Sequence, residues 1–250
     1  MKKVNLVAEK IIFEIQRIFP NKSNESIIED NSFYNMNIGN EESLDYFLEQ
    51  PPDTDPEAVI ESRNLLGLYI PMKQNPGTIV LYQGNLSKFF WIIVQDITRM
   101  NQSIRLSKND LIYTAYMIVL KTYFHEQFHY CCNVFREMFG SKFDSNTEEA
   151  LAVAYSRWQI DKQREDKRTC ISKIQNHFLI QVIEKAFSYS SPGYRDWHLY
   201  NGLMFGPGLK NYIFPNVTPI ETNGIDLSSL LSGMIRTILD NKGGPIEKVG

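Results

Sequence analysis

The chain has 250 residues, of which 43% are hydrophobic, enough apolar side chain for a sizeable core, and this excludes an intrinsically disordered protein. A formal net charge of -3 and a pI near 5.9 offer no electrostatic basis for binding nucleic acid or an anionic membrane, so neither partner is expected. Three cysteines, two of them adjacent as Cys131-Cys132, do not make a disulfide scaffold and fit a reducing, cytoplasmic setting.

From the N-terminus, Val4, Val7, Ile11, Ile15 and Ile18 recur on one face and predict an amphipathic helix ending at Pro20. Lys2 and Lys3 open the chain, but Glu9, Lys10 and Glu14 break any apolar signal-peptide core. Residues 21–57 are rich in Asn, Ser, Asp, Glu and Pro, and Pro51-Pro52-Asp53-Thr54-Asp55-Pro56 reads as a stiff acidic connector. Next, Gly67-Leu68-Tyr69-Ile70-Pro71 and Thr78-Ile79-Val80-Leu81-Tyr82 flank a Pro76-Gly77 turn and predict a hairpin. Residues 86–100 carry Phe89, Phe90, Trp91, Ile92, Ile93 and Ile97. Interrupted by Lys88 and Asp96, they are too short for a bilayer and predict a buried helix.

The segment that follows carries the chemistry. Ser107 offers a helix cap with Asp110 three residues on, Gly140 offers a stop, and no proline intervenes. Leu111, Ala115, Ile118, Thr122, Phe128, Cys132 and Phe135 keep helical spacing through it. Inside lies His125-Glu126-Gln127-Phe128-His129. On a helix, positions i and i+4 stack on one face, so both imidazoles can reach one ion while Glu126 is placed to act on a water beside it. The plainer reading is a pair of hydrogen-bonded core histidines, which would be costly to bury without a partner.

A catalytic zinc takes three protein ligands and keeps one position open. Ser145-Asn146-Thr147-Glu148-Glu149-Ala150 begins a further helix, in which Ser145 and Glu148 are spaced as a capping box. Glu149, twenty residues beyond His129, is then free to serve as the third ligand, and the alanines at 150, 152 and 154 would let the two helices approach closely. Cys132, three residues past His129, is the rival donor for a closed site.

His125-Glu126-Gln127-Phe128-His129 followed by Glu149-Ala150 resembles the gluzincins, zinc metallopeptidases in which HExxH is followed about twenty residues later by a glutamate on the next helix. Minigluzincins and ImmA/IrrE-like peptidases share this arrangement. The likeness covers roughly positions 65–160. Gln127-Phe128 and Leu151 depart from the repressor-cleaving members, which commonly have a leucine-glycine pair and an asparagine there. The resemblance implies Zn2+ on His125, His129 and Glu149, Glu126 as general base, and hydrolysis of a peptide or protein substrate. It implies an α+β, mainly helical fold: a zincin-like core in which a small twisted sheet or hairpin packs on the HExxH helix beside a second, Glu-bearing helix. An edge strand at Thr78-Ile79-Val80-Leu81-Tyr82 would then pair with the extended substrate. Residues 1–57 would form an N-terminal helix and connector, and residues 58–250 the catalytic domain with a helical extension, unless the two are continuous.

Downstream, Asp161-Lys162-Gln163-Arg164-Glu165-Asp166-Lys167-Arg168 mixes both signs and predicts a solvated helix face. Ile171, Ile174, Phe178, Val182, Ile183, Ala186 and Phe187 trace another amphipathic helix. Residues 190–200 read as a loop in which Tyr194 and His198 are candidate donors to a carbonyl oxygen that gains charge during amide hydrolysis. After Gly208 a loop is expected, then a last helix over residues 227–239. Two other functions fit the same residues: a regulatory, protein-binding module that keeps the scaffold without cleaving, and hydrolysis of a non-peptide bond.

Overall fold

The computed structural model describes residues 2–28, 65–71, 77–100, 105–139, 144–188, 192–213, Gly233 and 244–250. The expected boundary at residue 57, the acidic connector at residues 51–56, the Gly140 stop and nearly all of the expected helix over residues 227–239 lie outside them. Within the described residues the protein is α+β and mainly helical, with a small mixed sheet.

Helix α1 (Lys2–Ile18) buries Val4, Val7, Ala8, Ile11 and Ile15 completely. These residues share one apolar core with the rest of the chain, and α1 lies along the central helix. A short strand, β1 (Ile27–Ile28), pairs antiparallel with β4 (Leu106–Ser107), which leads directly into that helix.

The hairpin forms as the sequence implies: β2 (Gly67–Ile70) and β3 (Thr78–Leu81) are antiparallel, with Gly67 opposite Leu81 and Ile70 opposite Thr78. A strand that sequence reasoning did not find, β5 (Ile246–Val249), runs parallel to β3 on its other side. The order is therefore β2-β3-β5, and β3 is the middle strand. This corrects the expectation of a substrate-binding edge at Thr78 to Tyr82, because both sides of β3 are already hydrogen-bonded. The outer side of β2 is the edge nearest the central helix.

Helix α2 (Gln83–Met100) is the expected buried helix, with Leu86, Phe89, Phe90, Ile93 and Val94 inside. The central helix α3 (Lys108–Phe139) has 32 residues, about 48 Å of rise. It starts at the box expected from sequence: Ser107 N–H and Oγ–H donate to Asp110 Oδ2 at 2.8 and 2.7 Å, and Asp110 N–H donates back to Ser107 Oγ at 3.1 Å. Between Met117 and Phe124 it is buried on every side, as a helix through the middle of a protein must be.

Helix α4 (Ser145–Glu165) packs along α3, with Ala150, Ala152 and Ala154 all buried. Its last turn is polar, as expected. The amphipathic stretch that follows is not one helix: a 3-10 turn at Ile171–Lys173 precedes α5 (His177–Ser188), and the Asn176 side chain accepts from Leu179 N–H at 3.2 Å to start α5 afresh.

The expected loop near residue 194 is helical instead. A single turn, α6 (Pro192–Arg195), runs into 3-10 turns at Asp196–Tyr200 and Gly202–Met204, and then α7 (Phe205–Ile213). A loop is expected after Gly208, but α7 continues to Ile213, and Pro207 falls in its first turn, where a missing N–H costs nothing. Arg157 lies over the Trp197 ring at 4.5 Å and so ties these turns to α4.

Candidate metal centre

The 3.6-residue period of α3 puts His125 and His129 one above the other on the side that faces α4. Their Nε2 atoms are 3.2 Å apart. Glu149, in the second turn of α4, places Oε2 3.0 Å from His125 Nε2 and Oε1 3.5 Å from His129 Nε2. The structure thus brings the three expected ligands together, one donor atom from each lying within 4.8 Å of the others.

These residues fit an ion. Donors around a tetrahedral zinc at 2.0–2.1 Å lie about 3.3 Å from one another, close to the separations here. Glu149 Oε2 is buried and accepts no well-aligned hydrogen bond from the protein, although His125 Nε2 is its near neighbour. Burial alone would raise the Glu149 carboxyl, yet the His129 and His125 rings hold it below the usual carboxylate range. For His129 the balance runs the other way: burial opposes its charged form, but Glu149 and Glu148 raise its proton affinity well above that of an ordinary histidine. Carboxylates that draw positive charge onto the imidazole between them make a site that suits a cation.

Glu148 does not cap its helix as the sequence suggested. Its carboxylate is 2% exposed, and Oε1 accepts from His129 Nδ1 at 2.8 Å. Oε2 accepts from Arg136 Nη1 and from the Tyr212 hydroxyl, and Arg136 Nη1 also donates to Tyr212 Oη at 2.9 Å. Burial works against the Glu148 anion, but His129, Arg136 and Tyr212 together keep its pKa low. A carboxylate only accepts, so Nδ1 of His129 carries a hydrogen, and Nε2, turned toward Glu149 and His125, is the nitrogen that would give up its proton to hold a cation. Sequence reasoning missed Glu148 in this role, together with Arg136 and Tyr212. One signal was available: Arg136 is seven residues past His129, on the same helix face.

Glu126 is 8% exposed and packs against β2 at Gly67, where an added Cβ would come within 2.9 Å of Glu126 Cγ and 2.8 Å of Thr122 Cγ2. Burial raises its pKa; His125 and His129 pull it down, Glu149 pushes it up, and the Tyr69 N–H it accepts pulls it down again.

Of the two candidate oxyanion donors, only Tyr194 reaches the site. Its Oη is 3.1 Å from His125 Nε2, and its ring lies over the His125 ring with centroids 5.1 Å apart and planes 24° apart. Burial, Glu149 and Glu126 make its hydroxyl a much weaker acid than usual. His198 is exposed and its Nδ1 is 2.9 Å from the Arg195 carbonyl, engaged with its own turn, so it is not placed to act on a substrate. Cys132 lies outside the donor group. Burial, with Glu148 and Cys131 nearby, pushes its thiol well above the ordinary value.

No family model matches the chain, and comparisons with curated proteins and with solved structures returned no match either. Among the described residues, no helix is long and apolar enough to cross a membrane.

Proposed function

We propose that this chain is a zinc-dependent metallopeptidase with a zincin-like catalytic core of the gluzincin kind. The observation that carries this reading is the convergence of His125, His129 and Glu149 from two packed helices, with the Glu126 carboxylate on the same helical turn. A zinc ion held there would supply Lewis acidity toward a water and a substrate carbonyl.

The remaining work falls to side chains. Burial gives Glu126 a higher proton affinity than a surface carboxylate, which suits a group that takes a proton from water near neutral pH and returns it to the leaving amine. Gly67 lets β2 lie close enough for the Tyr69 N–H to hold that carboxylate in place. Tyr194 is positioned to donate its hydroxyl to the carbonyl oxygen as negative charge builds there. Tyr82 N–H donates to the Leu66 carbonyl at 3.0 Å, so pairing with β3 uses alternate residues of β2 and leaves Gly67 and Tyr69 turned to the outer edge, toward Glu126. An extended peptide lying along that edge would present its carbonyls beside Glu126. Cys131, Cys132 and Cys170 are free thiols, in keeping with the reducing setting of the cytoplasm.

The test is metal analysis of the native protein, followed by digestion of a peptide library with wild type and Glu126→Gln. Near-stoichiometric zinc is expected in both. Cleavage should fall by a factor on the order of 100 to 10,000 in the variant. Native protein without zinc, or a variant that cleaves as well as wild type, would sink the assignment. Zinc without cleavage would favour a protein-binding module on the same scaffold, a reading supported by the Tyr194 ring that covers His125.

A further inference from the structure

Three groups crowd one nitrogen. His125 Nε2 has His129 Nε2 at 3.2 Å, Glu149 Oε2 at 3.0 Å and Tyr194 Oη at 3.1 Å. A ring nitrogen has one lone pair or one hydrogen, so it can satisfy only one of them. A cation among the four atoms satisfies all of them at once. In that arrangement the phenol oxygen is not a bystander, because its distance to His125 Nε2 matches the distances among the three expected ligands.

The seating of Tyr194 is built into the backbone. Gly193 lies directly on α4, where a Cβ would come within 2.7 Å of the Asn146 carbonyl oxygen and 2.9 Å of Glu149 Cβ. Only a residue without a side chain allows α6 to approach the turn that carries Glu149, and this approach puts the next residue over His125. The ring is then held flat against the imidazole, and Trp197 under Arg157 anchors the same segment to α4 from the other end.

We propose that Tyr194 supplies the fourth donor to the metal in the resting protein, closing the position that a substrate must enter. This inference rests on the metal-site reading above. As the ion binds, the phenol releases its proton to solvent and its oxygen completes a His125, His129, Glu149, Tyr194 set. Access for a substrate carbonyl then requires the Tyr194 side chain to swing off His125, while Gly193 and Trp197 keep its backbone on α4. Once displaced, the phenolate would take a proton back from solvent and so regain the hydroxyl that can donate to a carbonyl oxygen.

Copper(II) is a suitable probe, because phenolate ligation gives a charge-transfer absorption in the visible that histidine and carboxylate ligands do not. The full chain loaded with one copper per molecule should show this band. Tyr194→Phe should keep the copper and lose the band, and its Kd for zinc should rise about tenfold or more. Gly193→Ala, which pushes α6 off Glu149 with the tyrosine still present, should weaken the band. One copper per chain without the band in wild type overturns the proposal and leaves the three-ligand site standing, and this result needs no variant to fold. A band that persists in Tyr194→Phe overturns it as well. Failure of wild type to bind zinc or copper at all removes both this inference and the reading beneath it.

Discussion

Adjacent residues on a helix point about 100° apart, so Glu148 and Glu149 cannot serve the same atom of one partner. Glu149 faces the gap between the imidazoles, while Glu148 reaches around His129 to its far nitrogen. Glu148→Gln keeps the shape but removes the charge that polarises Nδ1, and should raise the Kd for zinc by about 10- to 100-fold. Competition with a chromophoric chelator measures it; an unchanged Kd would mean that Glu148 serves only Arg136 and Tyr212. Gly67 is the other residue whose identity is set by contact: in Gly67→Ala the new methyl meets Thr122 and Glu126, which should cost about 1–3 kcal/mol and displace the Glu126 carboxylate, the proposed base. A variant with unchanged Tm and activity would show that β2 gives way freely. His125, Glu126 and His129 were legible from spacing alone, because i to i+4 geometry is local. The role of Glu148 was not: it begins a helix three residues after a serine, which looks like a cap, and only the neighbouring helix supplies the histidine it prefers.

Among the elements, α3 is the strut against which the others are placed. It carries both histidines toward α4, and one turn earlier it buries Lys121 at 0% exposure, 3.1 Å from Glu184 of α5. Arg157 of α4 also reaches Glu184, at 3.3 Å, so three helices meet in one ionic contact one turn from the candidate metal centre. The first helix belongs to the same packing. Ile11 is fully buried in the shared core, and Ile11→Ala should cost about 2–5 kcal/mol. Denaturation followed both by far-UV dichroism and by metal release should show one shifted transition for the two signals. A metal centre that resists denaturant as well as before would mean that α1 is a separate appendage. Its apolar face was plain in the sequence because every third or fourth residue was aliphatic. The strand β5 was not, since Ile-Glu-Lys-Val is short and half charged, and only the vacant side of β3 makes it a strand.

For the whole molecule, a metal held between α3 and α4 as proposed would tie binding to folding, since the unfolded chain has no such site. At a free zinc concentration of a hundred times Kd, mass action adds about 2.7 kcal/mol to stability. For a chain of this size, removal of the metal with a chelator should lower Tm by about 5–10 °C, and added zinc should restore it. Thermal scans with and without chelator give the answer, and superimposable curves would show that the three side chains hold no ion. The mainly helical fold and the hairpin were foreseeable from periodicity, with apolar residues at a period near 3.6 in the helices and β-branched runs around a Pro-Gly turn. The helical turns after residue 192 were not, because Pro, Gly and aromatic residues dominate them and they are helical only where α4 supports them.

What the sequence determined by itself is therefore what depends on near neighbours along the chain: α1 to α4, the Ser107 and Asp110 box, and the paired imidazoles with Glu126 between them. Tertiary structure alone decided which glutamate bonds to His129 Nδ1, that β3 is a middle strand, and that Tyr194 and not His198 stands over His125. Each of these matters joins residues far apart in the chain. Such contacts are chosen by the packing of whole elements, and a local period carries no record of that.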